Sequence, residues 1–491
     1  MEDGTADELA PVPWRWVGAV AAAVTLLLLV VARRYGWHRD ELYFLEAGKH
    51  HLAWGYVDQP PFTPLLARLA DWIAPGNLVV LRTPPAITAG ATVVLGALIA
   101  RELGGDRRAQ IAGAAALACC GFPLGVGHLL STAAFDLTAW MALLWVTARL
   151  LRTDDPRWWI AFGAIAGVAL WNKHLPVLLA ITVVAGLALA RRRRLLLTPW
   201  LPAGGLLAVL IVLPNLLWQA DHSWPQLEMA EALSERLAGE NRATLLPLQL
   251  LFAGPLLVVV LWAGIRALAG DERLRPFRAL LLMWPVGIAI AFATAGRPYY
   301  VLPLTVVVLL AGVVTWVRQD RTRLLGGLLV ASTVTTIPLA VPVLPRGSVE
   351  VTSAVNEAVA ETVGWPDLVD QVAGVVRELP PDEQRHVVLL ALTYGEAGAL
   401  DRFGPARGLP PAYSGHNSYA DFREPTDPDA TVVAIRFRLP QLREHFVECE
   451  QVATVDNGYD IDNEVQGTPI SVCRGLRRPW PETWDALRRF S

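Results

Sequence analysis

The sequence predicts a polytopic α-helical membrane protein, with about eleven spans, that carries a soluble α/β segment at its C-terminus. Three observations lead there. The 491 residues are 54% apolar and only 18% charged, with a mean hydropathy of +0.39, against about 25% charged for an ordinary soluble domain. Residues 1–345 hold 50 charged side chains and residues 346–491 hold 37, so the charged fraction climbs from roughly 14% to roughly 25% at that boundary. Eleven apolar stretches that lack Asp, Glu, Lys and Arg precede residue 346. The expected division is therefore a membrane domain, 1–345, and a soluble domain, 346–491. Their net charges are +6 and −9, and neither is built for nucleic acid.

The stretches are Trp16–Ala32, Thr83–Ala100, Ile111–Phe135, Leu137–Ala148, Trp158–Asn172, His174–Ala190, Leu195–Ala220, Ala243–Ile265, Ala279–Gly296, Pro298–Val317 and Leu324–Pro345. Most approach the ~20 residues needed to cross ~30 Å of hydrocarbon, where backbone groups must be bonded internally and helices result. Leu137–Ala148 is short and borrows a turn at each end, with Asp136 facing the bundle while Arg149 and Arg152 snorkel. Positive charge clusters in every second connection: Arg101, Arg107 and Arg108; Arg149, Arg152 and Arg157; Arg191 to Arg194; Arg266 to Arg278; Arg318 to Arg323. That alternation predicts these loops and the N-terminus inside, with the tail outside. The first outer loop departs from the rule. It carries Arg33, Arg34, Arg39, Lys49 and Arg68 beside Asp40, Glu41 and Asp58, so its charge serves something other than topology.

Before the first span lie Glu2, Asp3, Asp7 and Glu8, with no basic region and no Ala-x-Ala exit after it, which reads as an anchored start rather than a cleaved leader. Cys119 and Cys120 read as small packing residues, and Cys449 and Cys473 as a disulfide pair in an oxidising compartment. The tail reads as helix at Pro366–Glu378, strand at His386–Thr393, helix at Gly395–Phe403, and strands at Thr431–Phe437 and Ile470–Cys473. Ser414-Gly415-His416-Asn417-Ser418-Tyr419 is a polar, aromatic run that suits sugar contact or, equally simply, an Asx/Gly turn. No repeat of fixed period and no low-complexity tract occurs.

The unusual polar residues gather on the expected outer face. Asp40 and Glu41 are adjacent carboxylates, and their repulsion favours a raised pKa and base duty in one of them; the alternative is a helix N-cap at Asp40 with Glu41 in the first turn. His38, His50 and His51 lack ligand spacing, so they read as solvated or interfacial rather than metal-binding. Asp136, at membrane depth, calls for a partner, and Lys173 is the natural one, unless that lysine merely snorkels. Arg297 can grip a phosphate bidentately beside Tyr299 and Tyr300, one of which also suits an aromatic belt. Nucleotide-activated substrates do not normally reach that face. A transferred group must arrive on a carrier crossing the bilayer, and a polyprenyl phosphate sugar fits the cations and the apolar helices.

Asp40-Glu41, Gly55-Tyr56-x-Asp58-x-Pro60-Pro61, Asp136, Trp171-x-Lys173-His174, Pro214-Asn215-x-x-Trp218-Gln219 and Arg297-x-Tyr299-Tyr300-x-x-Pro303 together resemble the GT-C membrane glycosyltransferases of the family 39 and 83 type. That group includes protein O-mannosyltransferases, lipid A aminoarabinose transferases and core galacturonosyltransferases. The resemblance spans most of the chain. It implies a hexosyl- or pentosyltransferase acting with inversion, taking a sugar from a polyprenyl phosphate donor to an envelope acceptor. Asp40 is then base or electrostatic partner of the acceptor, Glu41 supports that side, and Lys173 and Arg297 stabilise the departing phosphate. Tyr299, Tyr300, His174 and Asp58 join the phosphate side, and Asp136 orients Lys173. Tyr56, Trp218, Gln219, His416 and Asn417 are the implied acceptor contacts. No cofactor is required, and a divalent metal stays open. The tail is not the β-trefoil of eukaryotic protein mannosyltransferases, and Arg297 stands where lysine is also common. A multispan transporter or a silent envelope receptor are the rival readings; gathering at one face, with no mirrored halves, argues against the transporter.

Overall fold

The computed structural model describes residues 9–353 and 356–490; the acidic start, Glu2 to Glu8, lies outside them. Among the described residues, seven helices are long and apolar enough to cross a bilayer: Trp14–Val31, Leu78–Glu102, Thr132–Thr153, Trp200–Asp221, Glu272–Ala293, Pro298–Arg318 and Thr322–Ala340. Two helix pairs cross only if each bent pair is one span, Arg107–Ala118 with Gly121–Gly127 (58°) and Pro225–Ala253 with Pro255–Gly270 (87°). The apolar helices Trp158–Leu170 and Pro176–Leu189 are shorter. The chain is a multi-pass membrane protein. By length and composition seven to nine elements span, where the sequence predicts eleven straight ones. The larger bend has a local cause: Gly254 adopts φ +105° and Pro255 follows, so a conformation open to glycine meets a residue that cannot extend the hydrogen-bond ladder.

Contacts divide the chain into two compact units that interleave in sequence. One comprises Met1–Ala32, Arg82–Asp221 and Leu233–Val341; the other comprises Arg33–Leu81, His222–Ala232 and Pro342–Ser491. In the helical unit Leu302–Arg318 is enclosed on almost every side. Its Gly312 lies so near the Val260 carbonyl that an added Cβ would stand 1.9 Å away, and a Cβ on Gly264 would stand 2.0 Å from the Val308 carbonyl. Small residues let these two backbones touch, which is how helices gain contact where lipid removes the hydrophobic drive. Thr132–Thr153 extends the short apolar stretch at both ends as expected, but its arginines do not merely snorkel. Arg149 (3.1 Å) and Arg152 (2.5 Å) converge on the buried Glu102.

In the second unit, the segment read as a charged outer loop folds into helices Arg39–His50 and Phe62–Ile73. Gly398 meets Leu42 of the first of them, so Arg39–His50 packs on Tyr394–Phe403 from the tail. Phe62–Ile73 leaves Leu65, Leu69, Trp72 and Ile73 exposed, with only Ala74-Pro75-Gly76-Asn77 before the next span. Five strands form a mixed sheet of order β2-β1-β3-β5-β4: β1 (Val387–Ala391), β2 (Ala412–Tyr413), β3 (Thr431–Ile435), β4 (Phe446–Thr454) and β5 (Pro469–Leu476). β1 runs parallel to β2 and β3, and β5 antiparallel to β3 and β4. Val388, Leu390, Val432, Phe446, Trp480 and Trp484 fill one core against it. β4 has no counterpart in the sequence reading, because as an edge strand rich in exposed polar residues it lacks an apolar run. Cys449 and Cys473 face each other across β4 and β5 and are bonded; Cys119 and Cys120 are buried thiols.

Candidate active site

The carboxylates of the sheet unit are set by one helix start. Arg39–His50 opens with a capping box in which Glu41 Oε2 accepts the His38 N–H (2.9 Å) and His38 Nδ1 accepts the Asp40 N–H (3.2 Å). The cap is thus His38, not Asp40, and the fully buried Glu41 serves the backbone. Asp40 keeps a side chain about a third exposed, and its Oδ1 accepts the Tyr394 hydroxyl at 2.8 Å, with Arg39 Nε 3.6 Å away.

Asp58 is arranged in the same way. Its Oδ1 accepts the hydroxyl of the buried Tyr43 at 2.8 Å, and Tyr43 stacks on Tyr394 at 4.9 Å between ring centres. Two stacked phenols therefore each hold one carboxylate. Burial, reinforced by the nearby Asp40 charge, pushes the Asp58 carboxyl up to about 7. Glu46 is also pushed up to about 7, by burial and by Asp401, although Arg423 pairs with both. Burial and the Glu464 charge raise Glu361 against Arg39, and burial with Glu396 and Asp40 raises Glu464 against Arg39 and Arg436. Tyr56 is buried, and its hydroxyl donates to the His51 carbonyl (3.0 Å) and accepts from the Ala53 N–H (3.2 Å), so it braces its own loop.

The helical unit holds the cations. Trp171-Asn172-Lys173-His174 turns between Trp158–Leu170 and Pro176–Leu189, and three of its side chains tie it down. Trp171 donates to the Ile211 carbonyl (2.8 Å), Asn172 to the Thr132 carbonyl (2.8 Å), and His174 Nε2 lies 3.0 Å from Asn215 Oδ1. Lys173 is presented by that frame. Its ammonium donates to the Tyr299 hydroxyl at 3.1 Å and lies 4.7 Å from the Tyr300 ring centre. The expected pairing with Asp136 takes another form: Asp136 acts on Lys173 electrostatically, but the lysine's hydrogen bond goes to Tyr299, and the buried Asp136 Oδ1 has no hydrogen-bond partner among the described residues. Phe122 stacks on Tyr299 at 4.9 Å, and Tyr300 meets it edge-on at 4.8 Å. The turn beneath is braced by Gln249, which donates to the Pro298 carbonyl (2.5 Å) and accepts from Thr305 (2.8 Å). Arg297, just before that turn, is exposed.

Of the expected acceptor contacts, Gln219 is buried and Trp218 partly so on Trp200–Asp221. His416 and Asn417 are buried too, the His416 ring lying flat against Tyr394 at 4.7 Å. Tyr43, Tyr394 and Phe122 went unnoticed in the sequence as site residues. One local signal bore on Tyr394, since Thr393-x-x-Glu396 is a capping-box spacing that marks the helix start, and both of its bonds form. Among the described residues, no group of three or more His, Cys, Asp and Glu is placed to hold a metal ion. Chemically, one unit offers a phenol-anchored carboxylate suited to accepting a proton, and the other an ammonium and an exposed guanidinium suited to an anion.

Comparisons with known proteins bear on this arrangement. The family described as dolichyl-phosphate-mannose-protein mannosyltransferase matches residues 58–218, about a third of the chain. The chain is 28% identical over 302 residues to undecaprenyl phosphate-alpha-4-amino-4-deoxy-L-arabinose arabinosyl transferase 1 of Pseudomonas fluorescens, a match covering 57% of this chain and 54% of that protein. It thus spans about half the length of that curated relative. Among solved structures it is similar to ArnT from Cupriavidus metallidurans bound to undecaprenyl phosphate, with a TM-score of 0.58 and 15% identity over 94% of this chain and 98% of that one. The apo form of the same protein gives a TM-score of 0.54 at 16% identity, over 93% and 98%. The fold is that of these ArnT structures.

Proposed function

We propose, from a GT-C fold that extends over nearly the whole chain, that this protein is a membrane glycosyltransferase using a polyprenyl phosphate sugar. The observation that carries the reading is the Lys173 ammonium, held by a phenol and aromatic faces rather than by a carboxylate ion pair. Such a cation keeps its charge available for an anion. A departing polyprenyl phosphate is that anion. Asp40 takes the proton from the acceptor hydroxyl or amine, whose lone pair attacks the anomeric carbon from the face opposite the phosphate. The C–O bond to phosphate breaks, the electron pair leaves on the phosphate, and Lys173, Arg297 and the Tyr299 hydroxyl stabilise it. Inversion follows from the single displacement.

The similarity to an arabinosyl transferase favours an amino-pentose as the sugar, moved to an envelope lipid or glycan. The distribution of arginine supports the N-terminus inside and the C-terminal segment outside the cytoplasmic membrane. The membrane-spanning helices then lie within residues 1–345, and residues 346–491 stand as the extracytoplasmic domain. Deleting the protein and comparing extracted envelope glycans and lipid-linked sugars by mass spectrometry tests this directly. The expected result is accumulation of one lipid-linked sugar together with loss of that sugar from an envelope component. Unchanged pools of both would overturn the assignment.

A further inference from the structure

Tyr394 has no part in the displacement as written, yet its side chain is fixed on every side. It is the first residue of Tyr394–Phe403, whose start is set by the Thr393 and Glu396 capping box, with Glu396 held in turn by Arg436 at 3.0 Å. Its ring lies between Tyr43 (4.9 Å, 29° between planes) and His416 (4.7 Å, 8°). Its own N–H donates to His416 Nδ1 at 3.2 Å. The two stacks fix the position of the phenol oxygen, and the hydroxyl donates to Asp40 Oδ1 at 2.8 Å.

A donor of this kind does two things to a carboxylate. It favours the charged form over the protonated one, and by engaging one oxygen it fixes the orientation of the other. Around Asp40 in this unit stand Arg39 Nε at 3.6 Å and His38 Nδ1 at 3.8 Å, while Glu464, paired with Arg39, and Asp58, bonded to Tyr43, add negative charge. Arg39 divides its attraction between Asp40 and Glu464, whereas the phenol makes a short, directional contact. We propose that Tyr394, contributed by the C-terminal segment, is the positioning residue that aims and keeps ionised the Asp40 carboxylate. The tail then completes the catalytic arrangement rather than only decorating it. This rests on the reading of Asp40 as the base.

Tyr394→Phe tests it cleanly, because the ring and both stacks remain and only the hydroxyl goes. The purified full-length variant is supplied with membranes of a strain lacking the protein, which provide donor and acceptor together, and transfer is followed by mass spectrometry. Turnover should fall about tenfold at pH 7 with the apparent KM for the lipid-linked sugar unchanged, and the acid limb of the pH–rate profile should move up by about one unit. Thermal stability should stay that of the wild type. Unchanged turnover, or a fall with the acid limb unmoved, overturns the positioning role. Asp40→Asn, run beside it, separates the two claims: an Asp40→Asn protein as active as wild type removes the base itself, whereas an inactive one alongside a normal Tyr394→Phe removes only Tyr394.

Discussion

In the helical unit the half-buried Lys173 ammonium is held by a phenol and two aromatic faces, whereas in the sheet unit Asp40 and Asp58 are each held by a phenol and the remaining acids crowd around arginines. Aromatic faces attract a cation without neutralising it. Phenols orient a carboxylate without neutralising it either. Both arrangements leave a charge able to act on a third party, but the acids outnumber their partners, and burial pushes Asp58 and Glu46 up to about 7. A surplus of acid in one unit therefore stores protons, while the other stores positive charge.

Four changes would break or sharpen that contrast. Asp40→Asn removes the proton acceptor and should lower transfer by about 10³- to 10⁴-fold; wild-type transfer of labelled sugar by the variant would end the acid-side assignment. Lys173→Ala or Arg297→Ala removes one cation from the leaving phosphate and should cost about 100-fold in turnover, with a loss below threefold showing that the aromatic cradle holds no anion. Gly312→Leu forces apart backbones that a Cβ would already approach to 1.9 Å. It should destabilise the helical unit by about 1–3 kcal/mol, read as an earlier thermal transition in detergent, and an unchanged midpoint would deny the close packing.

The smallest effect concerns protons. Asp58 and Glu46 have folded-state pKa values near 7, above the ~4 of an unfolded carboxyl. Each binds its proton more tightly when folded. Their contribution to stability is complete below about pH 4 and is lost as pH rises to about 7. Relative to an Asp58→Asn, Glu46→Gln double variant, the wild-type midpoint should drop by a few degrees between pH 5 and pH 7.5. A difference that stays constant or grows with pH would show that these carboxyls are not raised.

Hydropathy announced the multi-pass helical character but not the number of spans, eleven expected against seven to nine among the described residues, because lipid imposes a one-dimensional demand that residue type satisfies locally. It did not announce that Gly254-Pro255 bends one apolar stretch by 87°, since hydropathy registers polarity and not the backbone conformation that a Gly-Pro pair imposes. Lys173 and Arg297 were legible as isolated charges near apolar runs, and Asp40 as one of two adjacent carboxylates after the first span. Tyr43, Tyr394 and Phe122 were not, because an aromatic residue looks the same in a core as beside a reactive group. Glu41 illustrates the reverse: its adjacency to Asp40 suggested shared chemistry, and the helix start claimed it as a cap.

Composition thus determined that the chain is a mostly apolar, multi-pass helical protein, because hydropathy depends on what a residue is rather than on what it meets. Which phenol reaches which carboxylate, and that the charged first loop packs with the tail, were decided only by the folded chain. The hydrogen bond from Tyr394 to Asp40 joins residues 354 positions apart, and no local pattern specifies a donor that tertiary packing has to deliver.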